Sequence, residues 1–146
     1  MRLRRARTPL LLVGIAAAAA IVLIPRAWLT ANDVTTGATP AYPDLRERLY
    51  DMPPDQTLQL AAAVASRIPR WKVVSTDRAG RVVHVEIRTA IGLFTDDLTI
   101  HVHPEGRNSR VTIRSRSRVG RGDLGENARH IRALQTAMDS KLPQVR

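Results

Sequence analysis

Residues 81–118 read RVVHVEIRTAIGLFTDDLTIHVHPEGRNSRVTIRSRSR, and the alternation inside this stretch decides the fold. Between Arg81 and Thr89, Val83, Val85 and Ile87 fall on one face and His84, Glu86 and Arg88 on the other. Between Asp97 and His103, Leu98, Ile100 and Val102 alternate with Thr99, His101 and His103. Between Arg110 and Arg118, Val111 and Ile113 turn inward, as do Ser115 and Ser117, while Thr112, Arg114, Arg116 and Arg118 turn outward. A period of two with one apolar face predicts strands that are buried on one side. Trp71 to Thr76, rich in β-formers, predicts one more. The links between the four runs are short, so an antiparallel meander is the simplest topology.

Helical patterns flank the strands. Pro53-Pro54-Asp55 marks a helix start with Asp55 as a cap; Leu58, Ala61, Ala62, Ala65 and Ile68 follow at helical spacing, and Pro69 ends the run. Asp123 and Glu126 form a capping-box-like pair ahead of the apolar stripe Leu124, Ala128, Ile131, Leu134, Met138 and Leu142. The expected architecture is α+β, in the order α-β-β-β-β-α: a four-stranded antiparallel meander with two helices on one face. It occupies residues 53–146. Aromatic residues are only 3%, so the core rests on Val, Ile, Leu and Ala, with Trp71 expected as its largest member.

The N-terminus supplies an address. Residues 1–8 carry Arg2, Arg4, Arg5 and Arg7 and no acid, and Leu10 to Ile24 runs without a polar side chain. Residues 9–29 therefore read as a transmembrane helix, Arg26 snorkelling and Trp28 anchoring at the interface. A basic flank before an apolar run also describes a secretory signal, but Leu29-Thr30-Ala31 is a poor cleavage site. On either reading the arginine flank stays inside and the rest is exported to the extracytoplasmic (periplasmic) side of the membrane. Residues 30–52 lack a sustained period, contain Pro40 and Pro43, and are expected to be an extended tether.

The 146-residue chain has no cysteine, which excludes a disulfide scaffold, a thiolate metal site and a cysteine nucleophile. Its formal charge of +10 is unevenly spread. Residues 31–106 hold 8 basic and 10 acidic residues, whereas residues 107–146 hold 10 and 3. Arg107, Arg110, Arg114, Arg116, Arg118 and Arg121 all precede the next acid, Asp123. Outside the cytoplasm such a stripe suits anionic lipid headgroups or envelope polymers, and nucleic acid is not expected as a partner.

The segment from Arg114 to Arg129 (RSRSRVGRGDLGENAR), followed by Ile131-Arg132, resembles the signature of the family called domain of unknown function 1499. Asn32-Asp33-Val34-Thr35-Thr36, Tyr42-Pro43-Asp44 and Phe94-Thr95-Asp96-Asp97 agree with it in order, although Leu93 stands between Gly92 and the aromatic. The resemblance implies a bacterial membrane-associated protein, with relatives in plastids, and supplies no activity.

Keeping the inward faces together sets an expected register: Ile87 opposite Leu98, Arg88 opposite Asp97, His84 opposite His101, Ile100 opposite Ile113 and Asp97 opposite Arg116. Asp97 between arginines is either a pre-organised arginine cradle for an anion or a salt-bridge ladder on an exposed sheet face. The candidate ligand-binding residues are Arg88, Asp96, Asp97, Arg114, Arg116, Arg118, Arg121 and Asn127. His84, His101 and His103 share a face and form a weak metal candidate beside the plainer reading of solvent-facing histidines. No Gly-x-Ser-x-Gly elbow is present; Ser115 and Ser117 read as buried hydroxyls bonded to backbone. His130 lies off the helical stripe with no obvious partner. Asp123 is expected to occupy the free amides of its helix, and Asn127 and Arg129 to cap and to pair with the arginines.

These readings converge on a non-enzymatic, membrane-tethered domain that binds an anionic envelope ligand or a protein partner, without a cofactor. An envelope hydrolase using Asp96, Asp97 and the arginines is the alternative.

Overall fold

The computed structural model describes residues 30–89, 92–142 and 144–145. The elements are β1 (Asp33–Thr35), β2 (Arg48–Tyr50), α1 (Pro54–Ala65), β3 (Trp71–Asp77), β4 (Val82–Arg88), β5 (Thr95–Glu105), β6 (Asn108–Ser117) and α2 (Glu126–Asp139). The four expected strands are present, and β3 to β6 form the expected antiparallel meander. The sheet, however, has six strands, because β1 and β2 both pair antiparallel with the outer edge of β6.

That finding corrects the tether. Val34 of β1 and Tyr50 of β2, with Tyr42 and Leu45 between them, are buried in the main core. The Tyr50 hydroxyl donates to Asp139 Oδ1 at 2.6 Å, which fastens the segment to the end of α2. Strands of three residues are too short to show a period, and Pro40 and Pro43 lie in the turn between them. Tyr50 is the largest fully buried side chain; Trp71, expected in that role, is only partly buried against the core.

Alternation places Val83, Val85, Ile87, Leu98, Ile100, Val102, Val111 and Ile113 inside, where both helices cover them. From α1 come Leu58, Ala61, Val64 and Ala65; from α2 come Ala128, Ile131, Leu134 and Met138. Asp55 does not cap α1: that helix starts on Pro53 and Pro54 with no side-chain cap, and Asp55 instead meets Arg81 Nε at 3.2 Å.

The register between β5 and β6 is as expected, with Ile100 opposite Ile113 and Asp97 opposite Arg116. Between β4 and β5 it lies two residues away: Val85 meets Leu98, Ile87 meets Asp96, Arg88 meets Thr95, and His84 meets Thr99. A shift of two preserves the faces, so alternation alone could not choose between the two pairings. No described helix is long and apolar enough to cross a membrane; the basic flank 1–8 and the expected anchor 9–29 lie outside the described residues.

A chain shortened to begin at residue 53 loses Val34, Tyr42, Leu45 and Tyr50 from the core. It is expected to unfold without a cooperative transition, as followed by circular dichroism. A transition matching that of the parent would reinstate the tether reading.

Candidate functional site

The arginine-rich outer face is largely self-neutralised. Arg118 grips Asp97 with two hydrogen bonds, Nε to Oδ2 at 2.9 Å and Nη2 to Oδ1 at 2.6 Å, and also reaches Glu86 at 2.6 Å. Those bonds raise the Arg118 pKa further, so the group is always charged. Arg114 forks onto Asp33, whose carboxyl is held below the usual aspartate range by that contact, against the opposing effect of burial. Arg110 pairs with Glu47 and Glu105, and Arg132 with Asp44. Asp97 therefore does not lie between Arg88 and Arg116 as expected. Its partner is Arg118, diagonal across the β5–β6 pair. Arg88, Arg116 and Arg121 are exposed and, among the described residues, within ion-pair distance of no carboxylate.

The histidines of this face do not converge. His84 contacts Thr99, while His101 and His103 stack on each other with ring centroids 6.0 Å apart. Burial and the neighbouring His103 and His84 push His101 toward the neutral form. No set of three or more ligating side chains stands ready for a metal among the described residues.

The polar chemistry lies on the other side of the sheet, at the end where the apolar residues run out. Asp96, a candidate ligand-binding residue, continues the inward phase of Leu98 and Ile100 and is 2% exposed. Ser117 sits opposite Asp96 and Ser115 opposite Leu98, both inward. Asn127, at the start of α2 and 0% exposed, ties them together. Its Oδ1 accepts from Ser115 at 2.6 Å, and its Nδ2 donates to Ser117 at 2.9 Å and to the Asn32 carbonyl at 3.1 Å. The serines are thus bonded to a helix side chain, not to backbone, and Asn127 is a clasp between α2, β6 and the segment entering β1.

The turn from β6 into α2 completes the wall. Asp123 accepts from the backbone amides of Gly125 at 2.8 Å and Asn127 at 2.7 Å. It occupies the helix amides as expected, although α2 starts three residues later. Gly125 takes φ 79° just ahead of α2, and Gly120 takes φ 94° in the turn, conformations that glycine adopts without strain. Asn32 Nδ2 donates to the Gly120 carbonyl at 2.6 Å and pins this turn to the N-terminal segment.

Between the turn and the start of β5 lies a cavity of about 450 Å³ lined by Phe94, Asp96, Ser117, Val119, Asp123 and Leu124, among others. Phe94, Val119 and Leu124 are 47%, 62% and 57% exposed at its mouth. Asp96 Oδ2 is buried and has no hydrogen-bond partner among the described residues. Nδ1 of His130 stands 3.7 Å from it. His130 is mostly buried and packs edge-on against Trp71 at 5.9 Å. Burial pushes the Asp96 carboxyl up, partly opposed by the Ser117 hydroxyl and by His130. Burial likewise pushes His130 down, so it is neutral at ordinary pH.

Asp96, Ser115 and His130 together invite comparison with a hydrolytic triad, and the geometry refuses it. Ser115 Oγ and Asp96 Oδ2 both approach the same ring nitrogen, Nδ1, at 3.4 and 3.7 Å. A triad needs the nucleophile and the carboxylate on opposite ring nitrogens. The Ser115 proton is moreover directed at Asn127 Oδ1.

Fold and site define a small α+β domain with one buried, incompletely satisfied carboxylate at the floor of an apolar-rimmed cavity. The chain matches the family described as "Protein of unknown function (DUF1499)" over residues 24–138 and belongs to it. No curated protein matches it in sequence. Among solved structures it is similar to CalU16 from Micromonospora echinospora, with 11% identity and a TM-score of 0.47, covering 64% of this chain and 67% of that one. It is also similar to TTHA0849 from Thermus thermophilus, with 15% identity and a TM-score of 0.40, covering 74% and 87%. For Ara h 8.0201 the identity is 10% and the TM-score 0.45, covering 75% and 98%.

Because burial holds the Asp96 carboxyl above its unfolded value, the folded chain keeps a proton that the unfolded chain has already lost just above the ordinary aspartate range. Stability contributed by this group therefore falls as pH rises through that window. Asp96→Asn is expected to remove the fall and to raise the unfolding midpoint at neutral pH. Superimposable pH profiles for the variant and the parent would show that the carboxyl is not desolvated.

Proposed function

We propose that this chain is a non-enzymatic binding domain of the bacterial envelope, held at the membrane by residues 9–29 and exposed on the extracytoplasmic side. Its ligand site is the cavity at Asp96. The observation that carries this reading is the unpartnered oxygen of Asp96, a residue 2% exposed, at the floor of an apolar-rimmed cavity. A buried carboxylate without its full set of partners costs stability, and such costs concentrate where a ligand completes the site. Asp96, Asp123 and Glu126 face the cavity against one arginine, Arg129, which pairs with Glu126 at 3.3 Å. The charge balance favours a small molecule with an apolar body and an ammonium group.

A hydrolase is less well supported, since Asp97 is engaged by Arg118, Asp96 faces inward, and Ser115 and Asp96 share one nitrogen of His130. An anionic envelope polymer or a protein partner is the second reading. It draws support from the exposed Arg88 and from Arg116 and Arg121, exposed on the basic part of the chain.

For the full chain in lipid nanodiscs, benzylammonium is expected to bind at least tenfold more tightly than benzyl alcohol, with benzoate not binding, as measured by calorimetry. Asp96→Asn should abolish that preference and leave the alcohol unaffected. If none of the three binds, or benzoate binds best, the cavity is not this ligand site. An alkaline phosphatase fusion after residue 146 should be active in cells; an inactive fusion alongside an active cytoplasmic reporter would reverse the address.

A further inference from the structure

The end of the domain that holds the cavity also carries the three most exposed large apolar side chains among the described residues, with Phe94 beside them; Val74 of β3, 53% exposed, does not line the cavity. Leu93 is 74% exposed, Val119 62%, Leu124 57% and Phe94 47%. Three of these four, Phe94, Val119 and Leu124, line the same cavity mouth, and Leu93 adjoins Phe94 in the chain. Leu124 sits at φ 53°, in the left-handed region where leucine is rare, with its side chain directed away from the core stripe it was expected to join. Exposed basic residues flank the patch. Arg121 lies within the same turn, and Arg88 lies opposite Thr95, next to Phe94. Large apolar side chains projecting beside arginines are what a bilayer interface accepts: the apolar groups enter the headgroup boundary and the guanidinium groups meet lipid phosphates.

What identifies the occupant is where the chain comes from. Asn32 is fixed to this end by three backbone or side-chain hydrogen bonds: its Nδ2 to the Gly120 carbonyl at 2.6 Å, and its carbonyl to Ser117 N at 2.9 Å and to Asn127 Nδ2 at 3.1 Å. The apolar segment read as the anchor ends at residue 29. Three residues of extended chain reach about 10 Å. The turn at 119–124 must therefore lie within roughly that distance of the point where the chain leaves the bilayer. A protein partner would have to fit into the same narrow gap, whereas the lipid surface is already there.

We propose that the Leu93–Phe94 and Val119–Leu124 loops dock onto the bilayer surface, so that the Asp96 cavity opens at the membrane interface and draws its ligand from the lipid phase. The inference rests on the membrane-tethered reading. The opposite end of the sheet, at Gly106 and Arg107, faces the aqueous phase.

The chain has no cysteine, so single substitutions can be spin-labelled without altering the background. Leu93→Cys, Val119→Cys, Leu124→Cys and Arg107→Cys are prepared in the full chain and placed in nanodiscs of phosphatidylcholine and phosphatidylglycerol. Accessibility to oxygen is compared with accessibility to a water-soluble nickel relaxant. Labels at 93, 119 and 124 are expected to favour oxygen by at least threefold relative to the label at 107. All three positions are exposed, so labelling does not disturb the core, and any two suffice for the comparison. If the chain co-purifies with the discs while these labels are as water-accessible as position 107, the docking proposal is overturned and the tether stands. If the chain does not enter the discs, both are overturned.

Discussion

The inward face of β5 and β6 does not stop where its apolar residues stop. Strand geometry sends every second side chain to the same side. After Leu98 and Ile113 that side therefore receives Asp96, Ser115 and Ser117. Polar groups forced inward must be bonded or bear a desolvation cost of about 1–3 kcal/mol each. Most of what is distinctive at this end answers that demand. Asn127 serves both serines and the Asn32 carbonyl at once. Asp123 serves the amides that would otherwise be free at the start of α2. Of these inward groups Asp96 alone keeps a buried oxygen without a partner among the described residues, and it borders open space.

The outer face follows a different logic. Its arginines stand beside acids contributed by four different segments: Asp33 of β1, Glu47 ahead of β2, Glu86 of β4, and Asp97 and Glu105 of β5. Exposed pairs of this kind contribute little individually and are weakened by salt. Their effect is to fix register and keep a sheet face soluble. The short N-terminal strands matter here as well as in the core, because Asp33 and Glu47 belong to the segment that folds back onto β6. A sequence reading that removes residues 30–52 from the domain also removes three of the acids that neutralise the stripe, Asp33, Glu47 and Asp51, and so overstates the charge left for an anion.

That dependence explains what was legible and what was not. Apolar alternation at Val83–Val85–Ile87, Leu98–Ile100–Val102 and Val111–Ile113 placed three strands, their faces and one of two registers, and the β-formers from Trp71 to Thr76 placed a fourth. The stripe through Ile131, Leu134 and Met138 placed α2, and Asp123 was recognisable as the group that occupies its amides. The β4–β5 register was not recoverable, since a slip of two residues preserves every face. Strands β1 and β2 were not recoverable because three residues carry no period. The buried cluster was within reach: Asp96 lies two residues before Leu98 in the same phase, and Ser117 falls opposite it once Ile100 is set against Ile113. Beginning the third strand at Asp97, two residues late, concealed it. Glu126 and Asn127 then bring His130 to the same spot by helical spacing.

The state of Asp96 and His130 bears on the proposed reading of the cluster as a binding site. A relay needs a donor and an acceptor whose affinities for the proton cross during the reaction, with a nucleophile on the free side of the imidazole. Here burial raises the acid and lowers the base, so both groups move toward neutrality and the driving force for transfer between them shrinks. The free side of the imidazole, Nε2, faces Glu126 Oε2 at 3.8 Å and not a hydroxyl. An ammonium entering from the cavity mouth, past Asp123, Glu126 and Arg129, would reverse the effect on Asp96, since an opposite charge favours the ionised carboxyl. Binding would then favour loss of the proton that burial makes Asp96 hold more tightly. Its affinity should rise with pH through the window that burial opened above the ordinary aspartate range, and level off once the empty site has lost that proton by itself.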